Sequence, residues 1–255
     1  MTGTDILAAA YDAAVEEEYN RLASTPAFKN EYNLITGLMQ QYIAPRSTVY
    51  DIGSGPGRYT EFLLSMNCKV GALDISLRSL EALRTRINGN YNTNFIFAEK
   101  SCATQIDYLP TESADAILIM GPLYHLTQLN ERKKSLDNAY RLLKKDGVIF
   151  TVFMSTFPLI AEQEASLNCK MPDEAITNVL FKGYQIEQYR CCPDCAETLM
   201  NTSGFKTLHM ENLNNDFLNH KKKPHYGNMV LKNAFEKIKS EIGLDSQFIY
   251  VGKKI

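Results

Sequence analysis

A chain of 255 residues, 45% apolar and 22% charged, has the make-up of a globular protein with room for one large core. Its formal charge of −2 gives no broad pull toward nucleic acid or an anionic membrane, and no apolar run approaches the roughly 18 residues that span a bilayer. Six cysteines in a chain this long do not read as a disulfide framework, so thiols and a cytoplasmic location are expected.

Residues 3–22 and 28–43 carry apolar positions at helical spacing, broken near Pro26. The first stretch holds Asp5, Asp12, Glu16, Glu17 and Glu18 where a signal peptide would be basic, so it reads as folded helix. A strand follows at Thr48–Ile52, and then residues 49–60, VYDIGSGPGRYT, place Gly53, Gly55 and Gly57 at alternate positions before a helix from Tyr59 to about Met66. Glycines in such a turn let a ligand lie against the backbone, and a strand–turn–helix of this kind is expected to leave backbone N–H groups free at the sheet edge. The dinucleotide fingerprint spaces its glycines G-x-G-x-x-G beneath a pyrophosphate. Here the third glycine comes one residue early, Pro56 sits inside the loop, and Asp51 precedes it. A carboxylate at Asp51 repels a pyrophosphate but suits an amino group.

Residues 69–76, KVGALDIS, form a second apolar strand ending in Asp74, 23 residues after Asp51. An acid at that strand tip reaches ribose hydroxyls. A ligand with a ribose and an amino-acid end but no phosphates is S-adenosylmethionine (SAM). Helix is expected over 76–87, with Asn88–Gly89 as a stop, then strands at 94–98 and 114–120 and a helix over 130–144. Asp146–Gly147 then turns the chain into a strand at 148–153. This alternation predicts a parallel sheet with helices on both faces. It breaks over residues 155–200, which hold two short helical stretches, a strand pair around Gly183–Arg190 and the run Cys191-Cys192-Pro193-Asp194-Cys195. Strand 205–212, helix 224–242 and strand 247–252 complete the chain.

On the glycine loop, Asp74, residues 115–126 (DAILIMGPLYHL) and residues 141–150 (RLLKKDGVIF), the chain resembles the class I SAM-dependent methyltransferases, in particular bacterial small-molecule enzymes with a G-P-L-Y-H-L loop. The resemblance implies a single domain over 1–255: a Rossmann-like, seven-stranded α/β sheet whose last strand is antiparallel. It also implies N-terminal helices over 1–45 and a substrate cap over 155–200. The cofactor would be SAM, and the acceptor a small molecule; nucleic acid, membrane and metal are not expected, and a homodimer stays open.

The same resemblance distributes roles. Asp51 would meet the methionine amino group, Gly53, Ser54, Gly55 and Gly57 would form the surface beneath the cofactor, and Tyr59 follows them. Asp74 would hold the ribose and Ile75 pack on adenine. Relatives place an acid after the third strand for the adenine amine; here Ser101, Cys102 and Ala103 stand instead, so backbone at Cys102 and Ala103, or Glu99 after a register slip, would serve. Met120, Gly121 and Leu123 would line the methionine side. Tyr124 and His125 fall next to the acceptor, with His125 either a general base or a loop histidine held for shape. Tyr19 or Arg21 would meet the SAM carboxylate or the substrate, or else pack as ordinary helix residues. Cys191 replaces a histidine of the relatives and would face the substrate. The expected activity is methyl transfer to an O, N, S or C nucleophile. The alternatives are a non-catalytic SAM-binding subunit or sensor, and an arsenite or thiol methyltransferase using the cysteines.

Overall fold

The computed structural model describes residues 2–87, 93–156, 173–213 and 247–255. Three N-terminal helices, α1 (Gly3–Asp12), α2 (Val15–Ser24) and α3 (Pro26–Tyr42), precede the sheet. Thr2 and Asp5 close a capping box on α1, and Thr25 caps α3 with Pro26 in its first turn, where a missing N–H costs nothing. The break between α1 and α2 has no glycine or proline to announce it. Asp12, at the end of α1, accepts hydrogen bonds from the Ser76 hydroxyl (2.5 Å) and the Arg78 amide (3.2 Å), which ties α1 to the second β-α turn while α2 packs on α3.

The sheet then alternates with helices: β1 (Thr48–Ile52), α4 (Arg58–Ser65), β2 (Lys69–Asp74), α5 (Leu77–Ile87), β3 (Phe95–Lys100), β4 (Ala114–Ile119), α6 (Pro122–His125), α7 (Leu129–Leu142) and β5 (Leu143–Ser155). The hairpin β6 (Glu174–Phe181) and β7 (Tyr184–Cys191), helix α8 (Pro193–Thr202), β8 (Phe205–Asn212) and β9 (Gln247–Lys254) follow. Strands β3-β2-β1-β4-β5 are parallel neighbours, and β9 runs antiparallel between β5 and β8. The first residues of β1 show why both faces are covered: Val49 packs on one side with α3, α4 and α5, whereas Tyr50 and Ile52 pack on the other with α7 and α8.

Two features differ from the sequence reading. The helix expected to reach residue 144 ends at Leu142, and β5 starts at once, with Asp146 at φ 66 in a stretch where the β4–β5 register shifts. Within 155–200, the described residues 173–191 extend the sheet: β7 pairs in parallel with the tip of β5 at Met154↔Arg190 and Ser155↔Cys191, and β6 closes the edge. Lys182 and Gly183, both at positive φ, make the two-residue turn between them. Of the two helical stretches expected there, α8 is observed; the helix expected over 224–242 and the Asn88–Gly89 stop lie outside the described residues.

Candidate functional site

The carboxyl ends of β1, β2 and β4 meet at the glycine loop. Gly53, Gly55 and Gly57 all take positive φ (78, 53 and 95), the reason glycine stands at each. A Cβ on Gly53 would lie 2.5 Å from the Pro122 ring and one on Gly57 2.0 Å from Leu83, so those two are fixed by packing against α6 and α5. A Cβ on Gly55 would meet nothing within 4 Å; its surface is open. The N–H groups are not free, contrary to expectation. Gly53 and Ser54 donate to the Leu73 carbonyl (2.7 and 3.0 Å), Gly55 to Asp74 (2.7 Å), and Gly57 to the Ser54 carbonyl (3.1 Å). The tight loop uses its donors to hold itself to β2, which leaves no nest of N–H groups for a phosphate.

The charge of the site comes from two carboxylates. Asp51 is 2% exposed, and burial pushes its pKa up to about 7, against a 2.6 Å hydrogen bond from Thr60 and with a further push from Asp74. Asp74 is 8% exposed and pushed up to about 6 by burial, although the amides of Ser76 and Gly55 both donate to it at 2.7 Å. Among the described residues no cation pairs with either. Two buried acids thus sit on neighbouring strand tips, and burial raises the pKa of both. Nearby, the Tyr59 hydroxyl is buried without a hydrogen bond, as is one oxygen of Glu31.

The N-terminal helices close over this region, but Tyr19 and Arg21 have partners within the chain. The Tyr19 hydroxyl donates to Glu61 (2.9 Å), and its ring lies under the guanidinium groups of Arg86 (3.9 Å) and Arg58 (5.2 Å). Arg21 donates through both terminal nitrogens to Glu31 (3.3 Å) and sits 3.6 Å from Glu18. Burial works against its charge, but Glu31 and Glu18 more than offset this and raise its pKa; burial raises both glutamates in turn, with Arg21 opposing.

Around α6 the side chains also meet partners within the chain. The Tyr11 hydroxyl meets His125 Nε2 at 2.8 Å, with the rings edge to face, and the Tyr124 ring lies 4.6 Å from His125. Burial drives the His125 pKa down to about 4, with only the Glu187 backbone opposing it, and Nδ1 makes no well-formed hydrogen bond. A neutral imidazole this hard to protonate is a weak general base near neutral pH. Arg132, on α7, holds the loop from behind: it is 3% exposed, donates to the carbonyls of Leu126 (2.7 Å) and Thr127 (2.9 Å), and stacks on the Tyr189 ring at 3.5 Å.

Other expected residues divide. Ile75, Met120 and Gly121 are half-buried at the strand ends, as is Cys102, whose Sγ lies 3.2 Å from the Thr104 hydroxyl. Leu123 is fully buried in the core, so its side chain lines nothing. Ala103 is 4% exposed, and its carbonyl is taken by Asn138 (3.1 Å). The β2–β3 register does shift, between Val70 and Gly71, yet Glu99 then pairs with Leu73, is exposed, and accepts from Tyr108 at 2.9 Å. Cys191 is 0% exposed, packed in the core at the end of β7, so it offers no surface to a substrate. Among the described residues no cluster of three or more His, Cys, Asp or Glu side chains could hold a metal, and no helix is long and apolar enough to cross a membrane. Glu31 and Arg132 carry much of this arrangement without any motif to mark them, whereas Thr60 closes the glycine-loop motif and Tyr11 and Glu18 lie in the acid-rich helical stretch around Arg21.

A family model described as a methyltransferase domain (Methyltransf_25) matches residues 49–147, from β1 into β5. A demethylmenaquinone methyltransferase from Clavibacter sepedonicus is 27% identical over 174 residues, 65% of this chain and 68% of that protein. A SAM-dependent methyltransferase from Methanosarcina mazei shares the fold at 13% identity and a TM-score of 0.61, over 86% of this chain and 97% of its own. So does the 1,6-didemethyltoxoflavin-N1-methyltransferase of Burkholderia thailandensis, solved with 1,6-didemethyltoxoflavin and S-adenosylhomocysteine bound, at 13% identity and 0.63, over 98% and 88%. The methyltransferase-domain match over residues 49–147, the methyltransferase relative and the fold shared with these structures together support S-adenosylmethionine-dependent methyltransferase activity.

Proposed function

We propose that the chain moves a methyl group from SAM to a small-molecule acceptor, and that Asp51 and Asp74 are the counter-charges that hold the donor. The observation that carries the reading is the pair of buried acids on neighbouring strand tips, unpaired with any cation among the described residues, beside a glycine whose surface is open. Bound SAM supplies an electrophilic methyl on a sulfonium, together with an ammonium and a ribose. Asp51 faces the ammonium and Asp74 the ribose hydroxyls, each oxygen of Asp74 keeping a lone pair beyond its backbone bonds. Gly53, Ser54, Gly55 and Gly57 form the floor, Tyr59 offers its unpaired hydroxyl to the methionine end, and Met120 and Gly121 flank it. Ile75 lies against adenine, with backbone at Cys102 and Ala103 on its edge.

In-line displacement asks the protein chiefly to align donor and acceptor and to exclude water. Tyr124 and His125 border the acceptor in this reading, and His125 acts by orienting and hydrogen bonding, since its low pKa and its bond to Tyr11 set it poorly for removing a proton. The N-terminal helices and the β6–β7 hairpin form the rest of the acceptor enclosure. Calorimetry with SAM tests the donor site: Asp74→Ala weakens binding by ~1.5 kcal/mol or more, as expected for loss of a charged hydrogen-bond partner. Unchanged affinity overturns the ribose assignment.

The closed Tyr11–His125 pair also favours a second reading, a SAM-binding subunit or sensor without acceptor chemistry. Labelled SAM incubated with phenols, amines, thiols, arsenite and a demethylmenaquinol separates the two, the last because a curated relative is named for demethylmenaquinone. Methylated product supports the enzyme; SAM bound without product across the panel supports the sensor. The burial of Cys191 takes support from an arsenite or thiol acceptor held by the cysteines.

A further inference from the structure

Helix α8 begins on a pair of cysteines that the methyl-transfer reading does not use. Cys192 is the N-cap, in extended backbone (φ −75, ψ 159), with Pro193 in the first turn, and its Sγ accepts the amide of Cys195 at 3.3 Å. A sulfur in that position sits on the positive end of the helix, where negative charge is favoured. Burial, with the Cys192 sulfur beside it, pushes the Cys195 thiol pKa up to about 12. The two thiols are therefore unlike: one sulfur receives a helix N–H, and the other keeps its proton beside it. Residues three apart across a helical turn bring their Cβ atoms to roughly 5–6 Å, close to the roughly 3.5–4.5 Å of a disulfide, so a small closure of the first turn suffices. Both have some access to solvent, Cys192 at 9% and Cys195 half-buried, whereas Cys191 beside them is sealed at 0% with its thiol pushed up to about 12 by burial.

We propose that Cys192 and Cys195 are a thiol–disulfide exchange site that takes a small-molecule disulfide of the glutathione class and closes to an intramolecular disulfide. Cys192 loses its proton to solvent and attacks one sulfur of glutathione disulfide, forming a mixed disulfide and expelling one glutathione thiolate, which takes up a proton. Cys195 then loses its proton, and its thiolate attacks Cys192 Sγ, forming the 192–195 bond and expelling the second glutathione. Two protein thiols are oxidised by two electrons, one glutathione disulfide is reduced to two thiols, and the protons balance. The site lies at the end of β7, the strand whose Glu187 backbone borders His125, so the closure acts on an element shared with the α6 loop.

The test needs no methyl acceptor. The full chain is equilibrated with reduced and oxidised glutathione over a range of ratios, free thiols are trapped with N-ethylmaleimide, and peptides are mapped by mass. As the ratio becomes oxidising, labelling at Cys192 and Cys195 is expected to fall together by tenfold or more, with a 192–195 linkage and no lasting glutathione adduct. Cys195→Ser should instead accumulate glutathione on Cys192, because the resolving thiol is gone, and Cys192→Ser should leave Cys195 unmodified. Full labelling of both at every ratio overturns the proposal. So does a linkage from either cysteine to Cys191 or Cys169, or an adduct on Cys195 in Cys192→Ser equal to that on Cys192 in Cys195→Ser. Because SAM plays no part in the readout, failure here leaves the methyl-transfer reading standing.

Discussion

At the tips of β1 and β2, two buried acids lie near each other with no cation paired to either among the described residues. A few residues away, around Arg21 and His125, the reverse holds: Arg21 is shared by Glu31 and Glu18, and His125 is hydrogen-bonded to Tyr11. The first region lacks a counter-charge among the described residues; the second is largely paired within the chain, although one Glu31 oxygen and His125 Nδ1 make no hydrogen bond. On the proposed reading, that contrast makes the donor easier to infer than the acceptor. Burying an acid without a partner costs stability, and such a cost points to a ligand that supplies the missing charge.

The glycine loop gives the sharpest way to break the contrast. Gly57→Ala sets a side chain at φ 95 and 2.0 Å from Leu83, and should cost about 3 kcal/mol of stability in a denaturant titration. Gly55→Ala meets open space at φ 53 and should cost only ~1 kcal/mol, yet fill the floor of the donor site and weaken SAM at least tenfold by calorimetry. Equal stability losses with SAM affinity kept in Gly55→Ala would mean the open surface faces no ligand.

Next come the acids. The folded pKa of Asp51 is raised from its usual value near 3.8 to about 7, so the folded chain holds more protons than the unfolded chain across that window, and stability falls as pH rises through it. Asp51→Asn removes this penalty, so the ligand-free protein should gain about 1–3 kcal/mol at pH 7.5 in thermal or chemical unfolding while SAM binding weakens by ~2 kcal/mol. A variant that loses stability instead would show the carboxylate to be satisfied in the folded state. In the wild type, an ammonium favours the ionised acids, so SAM affinity should fall as pH drops from 8 to 5, by up to about tenfold per unit for each proton displaced. Calorimetry in buffers of different ionisation heat reads that proton release directly; a flat profile removes the electrostatic basis of the donor site. The smallest effect on SAM belongs to the complete region: His125→Ala and Tyr11→Phe should leave its affinity within about twofold while lowering turnover by about tenfold once an acceptor is in hand. An equal loss of both would make the pair structural.

Much of this was legible in the sequence, and the reasons are local. The parallel strands announced themselves as short apolar runs alternating with helical stretches, those of β1, β2 and β4 running into an acid or glycine, and Asp51, Gly53 and Asp74 could be assigned to strand tips because such tips are set by backbone geometry. What failed depended on contacts between distant segments. Nothing in the glycine spacing reveals that Leu73 and Asp74 take up the loop's N–H groups. Leu123 and Cys191 sit within motif-like runs, yet tertiary packing turns both into the core. Tyr11, the partner of His125, lies 114 residues away, and Glu31, which binds Arg21, lies 10 residues away on another helix; pairing between separate elements leaves no periodic signal.

The position of β9 carries a consequence for how the protein is made. Its residues 247–254 lie between β5 and β8, so two strands synthesised earlier have no common neighbour until these emerge from the ribosome. Shortening the chain at Gln247 would split the sheet rather than trim it, leaving β8 detached and a long hydrophobic margin on β5 open to self-association.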